Sequence, residues 1–335
     1  MKKFLTLAFA FVFMTGVAFA QDNDATVEQD GDDNGATVEQ TGASNAATIL
    51  QGFDGQGQNG AEALISQVGD DNAATIKQRA WGSRDNDHSV EQDGDGNSAT
   101  VDAFNGDNEG SVTQTGNDNS AQIQHGAAKE GVATILQVGS DNIASARQFS
   151  GSGNSASIDQ DGDGHEGRIT QRGSDNVATV LQRFSSDDHV QVQEGDENYA
   201  EVRSFGGSNE GIQEQFGDGN TSQLNQSGGF FARMTQVGDD NVARLRQAGG
   251  SGSEATIDQD GTGNTVGVDQ QGSNNMLTVD QDGTGNTAGS TWWSNPGIVQ
   301  DGNANTATLM QTGVGHDASI MQMGNSNTAT ITQSN

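Results

Sequence analysis

Five histidines, 46 acidic side chains and no cysteine set the limits on the chemistry this chain could carry. His88, His125, His165, His189 and His316 are scattered. No serine, histidine and aspartate stand at a spacing that suggests a nucleophile with its base. Without cysteine there is no thiolate and no Cys/His zinc site. The phrase "DGDGN", Asp93 to Asn97, opens like a calcium loop, but its sixth position is Ser98 rather than Gly and its twelfth is Phe104 rather than Glu. Acidic phrases around Asp32, Asp70, Asp71, Asp239 and Asp240 could bind cations weakly, although solvated turn residues account for them better. Thr26, Thr37, Thr48, Thr75, Thr134 and Thr179 could form an ice-binding array. They recur singly rather than as Thr-x-Thr, so strand propensity is the better account. Trp81, Trp292 and Trp293 lie in insertions, and a carbohydrate or surface-adhesion patch and a hydrophobic cover are equally open for them. An enzyme of the pectate-lyase type would need carboxylates clustered with Arg or Lys, and no such cluster is present. Neither a cofactor site nor a resident metal site is expected, and the enzyme class is disfavoured.

The elements that would position these residues are unusual. Of 335 residues, 31% are hydrophobic, 5% aromatic, 48 are Gly and one is Pro, with a net charge of −32. Ordinary domains of this length would lack apolar material for their cores. Low hydrophobicity with high charge usually means disorder, but a strict period argues against it here, because disordered tails need no register. Lys2 and Lys3 precede an apolar run from Phe4 to Ala20 that ends "VAFA". This reads as a signal peptide, residues 1–20, cut before Gln21, with residues 21–335 forming one repeat domain and no membrane insertion after cleavage. Cleavage removes two basic residues and takes the net charge to about −34. Nucleic acid is disfavoured as a partner, because phosphate binding needs a basic stripe.

The period is eleven residues. "NGATVEQ" at Asn34 to Gln40 alternates with period two: Asn34, Ala36, Val38 and Gln40 share one face, and Gly35, Thr37 and Glu39 the other. Such an alternation over seven residues predicts a strand, and the Gly-rich phrase between Gln and Asn predicts a tight reversal. We count 27 units, with Ala103 and Ser204 replacing glutamine and one unit ending at Gln124. A single unit buries one Ala and one Val or Ile and cannot fold alone. If two units form one layer, the chain is an all-β, two-sided solenoid of strand–arc–strand layers, about 13 layers at ~4.8 Å each. The longer arcs after Gln51, Gln78, Gln124 and Gln148 would then line one edge, and those after Gln182, Gln226 and Gln247 the other.

Stacking gives the amides a purpose. A primary amide both donates and accepts, so an identical neighbour satisfies it and a column becomes a cross-β ladder. The predicted ladder positions are Gln29, Asn34, Gln40, Asn45, Gln51, Gln67, Asn72, Gln78, Gln137, Asn142, Gln148, Gln171, Asn176, Gln182, Gln236, Asn241, Gln247, Gln300, Asn305, Gln311, Gln322, Asn327 and Gln333. The glycine two residues after each Gln is expected to need a positive φ; the positions are Gly31, Gly42, Gly69, Gly139, Gly173, Gly238, Gly302 and Gly324.

This pattern resembles the curlin repeat of curli fibre subunits, whose half-repeat reads Gln-x-Gly-x-x-Asn-x-Ala-x-x-x-Gln. Eight segments carry it in full, among them "QDGDDNGATVEQ" from Gln29, "QVGDDNAATIKQ" from Gln67 and "QMGNSNTATITQ" from Gln322. The resemblance implies a secreted, extracellular functional amyloid: a fibre subunit that assembles with itself and serves biofilm matrix, adhesion and surface colonisation. It also implies a curli-type secretion channel and a nucleator subunit as partners. A minor nucleator subunit remains an alternative, as does a monomeric secreted solenoid that acts as an adhesin or binds ice or cations.

Overall fold

The computed structural model describes residues 22–52, 58–79, 82–83, 85–104, 106–184, 186–289 and 296–335. The expected signal segment, residues 1–20, and Trp81, Trp292 and Trp293 lie outside the described residues.

No described residue is helical, and each strand pairs in parallel with the strand two passes later. Thus Asp24–Gln29 pairs with Ala46–Gln51, and that strand with Ala73–Gln78, in a register that stacks Val27, Ile49 and Ile76 and then Gln29, Gln51 and Gln78. The strand between them in sequence, Gly35–Thr41, pairs instead with Glu62–Val68. Parallel neighbours need a long crossover. Here the crossover is the intervening strand with its two arcs, which belongs to the opposite wall. The result is a two-walled solenoid of about thirteen turns. The first wall runs from Asp24–Gln29 to Thr328–Ser334, and the second from Gly35–Thr41 to Ile320–Met323.

Burial follows the alternation. Ala46–Gln51, for example, buries Ala47, Ile49 and Gln51 and leaves Ala46 exposed and Thr48 and Leu50 half-exposed. The interior is narrow: one Ala column and one Val, Ile or Leu column from each wall meet at the centre and form a single cluster from Ala47 to Ile320. Burying an Ile stabilises by roughly 1.5–3 kcal/mol, against about 1 kcal/mol net for a hydrogen bond. The apolar columns therefore supply most of the driving force, and the amides that flank them fix which residue stacks on which.

The arcs turn on two left-handed positions. The glycine two residues after Gln has φ between 99° and 123° at all eight motif positions, from Gly324 to Gly302. A Cβ on Gly42 would also lie 2.0 Å from the carbonyl oxygen of Gly69 in the next layer, so stacking as well as φ requires glycine. The second position, four residues after Gln, is occupied by Asp33, Asp71, Asp141, Asp175 and Asp240, with φ near 57°, or by glycines such as Gly96 and Gly219. Asp and Asn tolerate this region better than most side chains.

Two sequence expectations need correction. The unit placed at Gln124 ends at His125, which pairs with Ala103 on one side and Gln148 on the other. Asn119, Ala121 and Ile123 set the inward phase of that strand, so Gln124, one residue off it, points out. The connections after Gln51, Gln78, His125 and Gln148 lead from the first wall to the second along one edge, and those after Gln182, Gln226 and Gln247 return along the other. Only the arc after Gln247 is longer than usual, however. Asp187 follows Gln182 at the ordinary interval, and Phe230 reaches the asparagine place one residue early after Gln226.

Candidate functional site

The amide columns and the two ends of the stack are the features of this molecule that can act on another molecule. Interior glutamines make the ladder bond and at least one bond to the facing wall, as Gln67 does to Gln92 and Ala46, and some make two. Gln51 Nε2 donates to Gln78 Oε1 at 2.8 Å and also reaches the carbonyls of Gly35 and Ala61, at 2.9 and 3.0 Å, on the preceding and following strands of the opposite wall. Gln171 does the same to Gln193, Ser155 and Asn176. Ladder and cross-wall clamp are one side chain. The double reach places the strands of Gln51 and Gln171 between the preceding and the following strand of the facing wall.

The predicted glutamines fall on these columns. Gln29 donates to Gln51, Gln40 to Gln67, Gln148 to Gln171, Gln236 to Gln259, Gln247 to Gln270 and Gln311 to Gln333. Gln67 donates to Gln92, Gln137 to Gln160 and Gln300 to Gln322, while Gln182 accepts from Gln160. The asparagines use a different bond set. Asn72 donates its backbone N–H and Nδ2 to Asn45 Oδ1, and its Nδ2 also to Gly94 O at 2.6 Å. Asn142, Asn176 and Asn327 bond back to the preceding column member in the same way, Asn241 and Asn305 do so through the backbone N–H alone, and Asn34 Oδ1 accepts from Ala61 N. Interior members are buried, whereas Gln29 is exposed and Asn34, Gln40, Asn327 and Gln333 are half-buried at the ends.

The arc carboxylates do work that alternation does not reveal. Asp70 Oδ1 accepts Ala43 N–H at 2.7 Å, and Asp239 Oδ1 accepts Asp218 N–H at 3.0 Å, so one oxygen of each joins adjacent layers. The recurrence of Asp, Asn or Ser three residues after Gln was the available signal. Asp71 and Asp240 hold the left-handed position, and the backbone N–H of Asp32 donates to Asn59. The "DGDGN" phrase is an ordinary arc: Asp95 Oδ1 accepts Asp70 N–H, and Asn97 continues the asparagine ladder. Among the described residues, no group of three His, Asp or Glu side chains is placed to hold a metal. Thr26, Thr48 and Thr75 stack in one outward column, but Thr37 lies beside Leu64 and Thr134 and Thr179 beside serines, so the threonines do not form a continuous face.

His88, His125, His165 and His189 are interior, and His316 is half-buried. His88 takes an alanine place between Ala63 and Gly110, His189 one between Gly167 and Gly211, and His125 a glutamine place. His165 and Asp187 occupy successive asparagine places, with 3.7 Å between Nδ1 and Oδ2, and His316 follows Asn286 in the other asparagine column. Burial lowers His88 well below the usual range, with His125 adding to it, and takes His125 to about 4 and His189 to about 3. Burial also lowers His165 and raises Asp187. His88 Nδ1 lies 2.8 Å from Gln78 Nε2, which can only donate, so His88 is the neutral Nε2–H tautomer. His88 and His125 lie with ring centroids 5.6 Å apart, and these two rings, like those of His165 and His189, are buried away from solvent. An open groove on the outer face, about 410 Å³, runs past Glu62 and Asp87 with no base beside them.

The family model for the curlin associated repeat matches residues 20–52, 132–162, 231–261, 250–283 and 302–334. No curated protein matches the chain.

Proposed function

We propose that this chain, which belongs to the curlin-repeat family, is the structural subunit of an extracellular fibre that grows by adding copies end to end. The observation that supports this most strongly is the state of the two ends. Asp24–Gln29 and Gly35–Thr41 each pair on one side only, as do Ile320–Met323 and Thr328–Ser334. Unpaired parallel edges of this kind template further strands. Nothing among the described residues blunts them: no proline, helix or inward charge lies on these four strands. Cleavage before Gln21, passage through a curli-type secretion channel and a contribution to biofilm matrix and adhesion complete the reading. Its support is the curlin repeat itself and the "VAFA" signal-like segment.

The test is assembly of purified residues 21–335. Fibres that bind thioflavin and give meridional and equatorial reflections near ~4.8 and ~10 Å are expected. A protein that stays monomeric by sedimentation at high concentration, in salt and with seeds, would overturn the proposal in favour of a solitary solenoid adhesin.

A further inference from the structure

The two walls are unequal. The first wall supplies both the first strand, Asp24–Gln29, and the last, Thr328–Ser334, so it holds one more pass than the second. Because successive passes alternate between the walls, with the strands of Gln51 and Gln171 each reaching the facing strand before and the facing strand after, the first wall overhangs at both ends and the second is recessed at both. Two copies stacked without rotation would bring overhang against overhang. The recessed edges would then stay one strand short, roughly 10 Å apart with their backbone groups unpaired. A half-turn about the stack axis removes the mismatch, because each overhang enters the recess of the next copy.

We infer that successive copies in the fibre are related by a two-fold screw, so that the first wall of one copy continues as the second wall of the next. The inference rests on the end-to-end reading above and adds the geometry of the joint. Thr328–Ser334 of one copy pairs with Gly35–Thr41 of the next, and Ile320–Met323 with the strand that ends at Gln29. Gln333 then stacks on Gln40 and Gln322 on Gln29.

The side chains at the two ends are complementary in this arrangement. Among the described residues every glutamine ladder bond runs the same way, from Nε2 of one glutamine to Oε1 of the next, and the asparagine bonds run the opposite way. The last two glutamines, Gln322 and Gln333, donate to the carbonyls of Thr306 and Asp317 and have no ladder acceptor beyond them. Gln29 and Gln40 donate onward, and among the described residues no donor reaches their Oε1 atoms. In the glutamine columns one end thus offers donors and the other acceptors, and in the asparagine column the roles are reversed, so each end complements the other and not itself, which fixes head-to-tail polarity. Val27 and Val38 at one end and Ile320 and Ile331 at the other continue the apolar columns. Asn327 Oδ1 is free to take Asn34 of the incoming copy. The other asparagine column ends on His316 and contributes no amide oxygen there.

The chain has no cysteine, so paired substitutions report the joint directly. Thr330, Thr37 and Thr26 all point outward. Under the screw, Thr330 lies beside Thr37 of the next copy, within disulfide range of ~4.4–6.8 Å between Cα atoms, while Thr26 is on the opposite outer face. Without rotation the relation is reversed. Fibres of Thr330→Cys/Thr37→Cys should give, on oxidation, a ladder of covalent oligomers at least tenfold stronger than fibres of Thr330→Cys/Thr26→Cys. Equal ladders, or the stronger ladder from the Thr26 pair, would overturn the screw while leaving the fibre intact. Failure of the unsubstituted chain to form fibres would overturn the fibre reading and the screw with it.

Discussion

Two kinds of interior share one backbone. From Glu254 to Gln281 the inner positions of the first wall are apolar or glutamine: Ala255 and Leu277 stack, Ile257 and Val279 stack, and Gln236, Gln259 and Gln281 form an unbroken ladder. From Asn86 to Gly131 and from His165 to Phe230 the same positions hold His88, His125, His165, Asp187, His189, Gln191 and Ser204. The glutamine ladder breaks at Ala103 and His125 on the first wall and at Ser204 on the second. Several ring and amide atoms there have no hydrogen-bond partner, among them both nitrogens of His125 and of His189 and Nε2 of His165. Register nevertheless carries straight through. The contrast shows that strand pairing and volume, rather than the identity of each amide, maintain the solenoid, provided that a ring in an alanine place, as His88 and His189 are, has a glycine beside it.

The sharpest way to separate the two interiors is acid. A histidine held at a lowered pKa binds fewer protons folded than unfolded, so its stretch is stable above pH 6.5 and loses stability as the pH falls through 6.5 toward the folded value. For His125 that window runs down to about 4, and for His189 to about 3. The loss is on the order of 3 kcal/mol for His125. Asp187, raised by burial, opposes it within its own stretch. Hydrogen exchange on isolated monomer at pH 7 and pH 4.5 should show protection falling at Ser120–His125 and Asp188–Glu194 before it falls at Glu254–Gln281. Uniform loss along the chain would mean that the histidines do not set local stability.

The glycine pairing gives the next largest effect. A Cβ on Gly110 would lie 2.6 Å from His88 Cδ2, and one on Gly211 2.4 Å from His189 Nδ1. Gly110→Ala should destabilise by about 1–3 kcal/mol through overpacking, read as a lower denaturation midpoint. Adding His88→Ala restores the motif's own pair of alanines and should recover most of the loss. If the double variant is no better than the single one, the ring is not what the glycine accommodates.

How much of this was legible depends on what alternation encodes. The two-unit layer, the inward face and the glycine turns follow from a period that every unit repeats, so a single strand's pattern carries them. The second left-handed position was also on the page, as Asp or Gly four residues after each Gln, but it looks like any polar turn residue. His125 was misread because Gln124 sits beside it; only the phase of Ala121 and Ile123 separates them. The clamp from Gln51 to Gly35 and Ala61 joins residues on opposite walls, and no local pattern in either strand implies it. The same holds for the glycines that make room for His88 and His189, since they become neighbours only after 22 residues of chain have closed a turn.

A third prediction tests the ladder where it is unbroken. Gln259→Leu leaves Gln236 Nε2 without its ladder acceptor and Gln281 Oε1 without its donor, in the interior. Such orphaned groups cost about 1–3 kcal/mol, partly offset by the added apolar volume. Thr256→Ser, outward on the same strand, should change stability by less than about 0.5 kcal/mol. Equal midpoints for the two variants would show that the amides contribute no more than the outer face does.

The smallest effect concerns charge, and its sign is opposite to that of the histidines. Asp258 and Asp280 are directly paired on the outward side of the regular stretch. Burial first, and then Asp280, raises the Asp258 carboxyl above its usual range. A raised carboxyl binds more protons folded than unfolded, so Asp258 contributes stability as the pH falls toward and through the raised value and loses it as the pH climbs above it. Over the acid range in which the histidine stretches weaken, the regular stretch should therefore hold or tighten. Asp280→Asn keeps the shape and removes one of the two facing charges. It should raise the neutral-pH denaturation midpoint slightly, by well under 1 kcal/mol, because Asp258 is exposed on the outer face and water screens the pair. The gain should shrink between 0.01 M and 1 M salt, as the screening length drops from ~30 Å to ~3 Å. It should also shrink at pH 4, where Asp258 is increasingly neutral. A gain that persists at high salt and at low pH would point to packing around the amide rather than to relief of like charge. In that case the acid response of the regular stretch would have to come from other carboxylates.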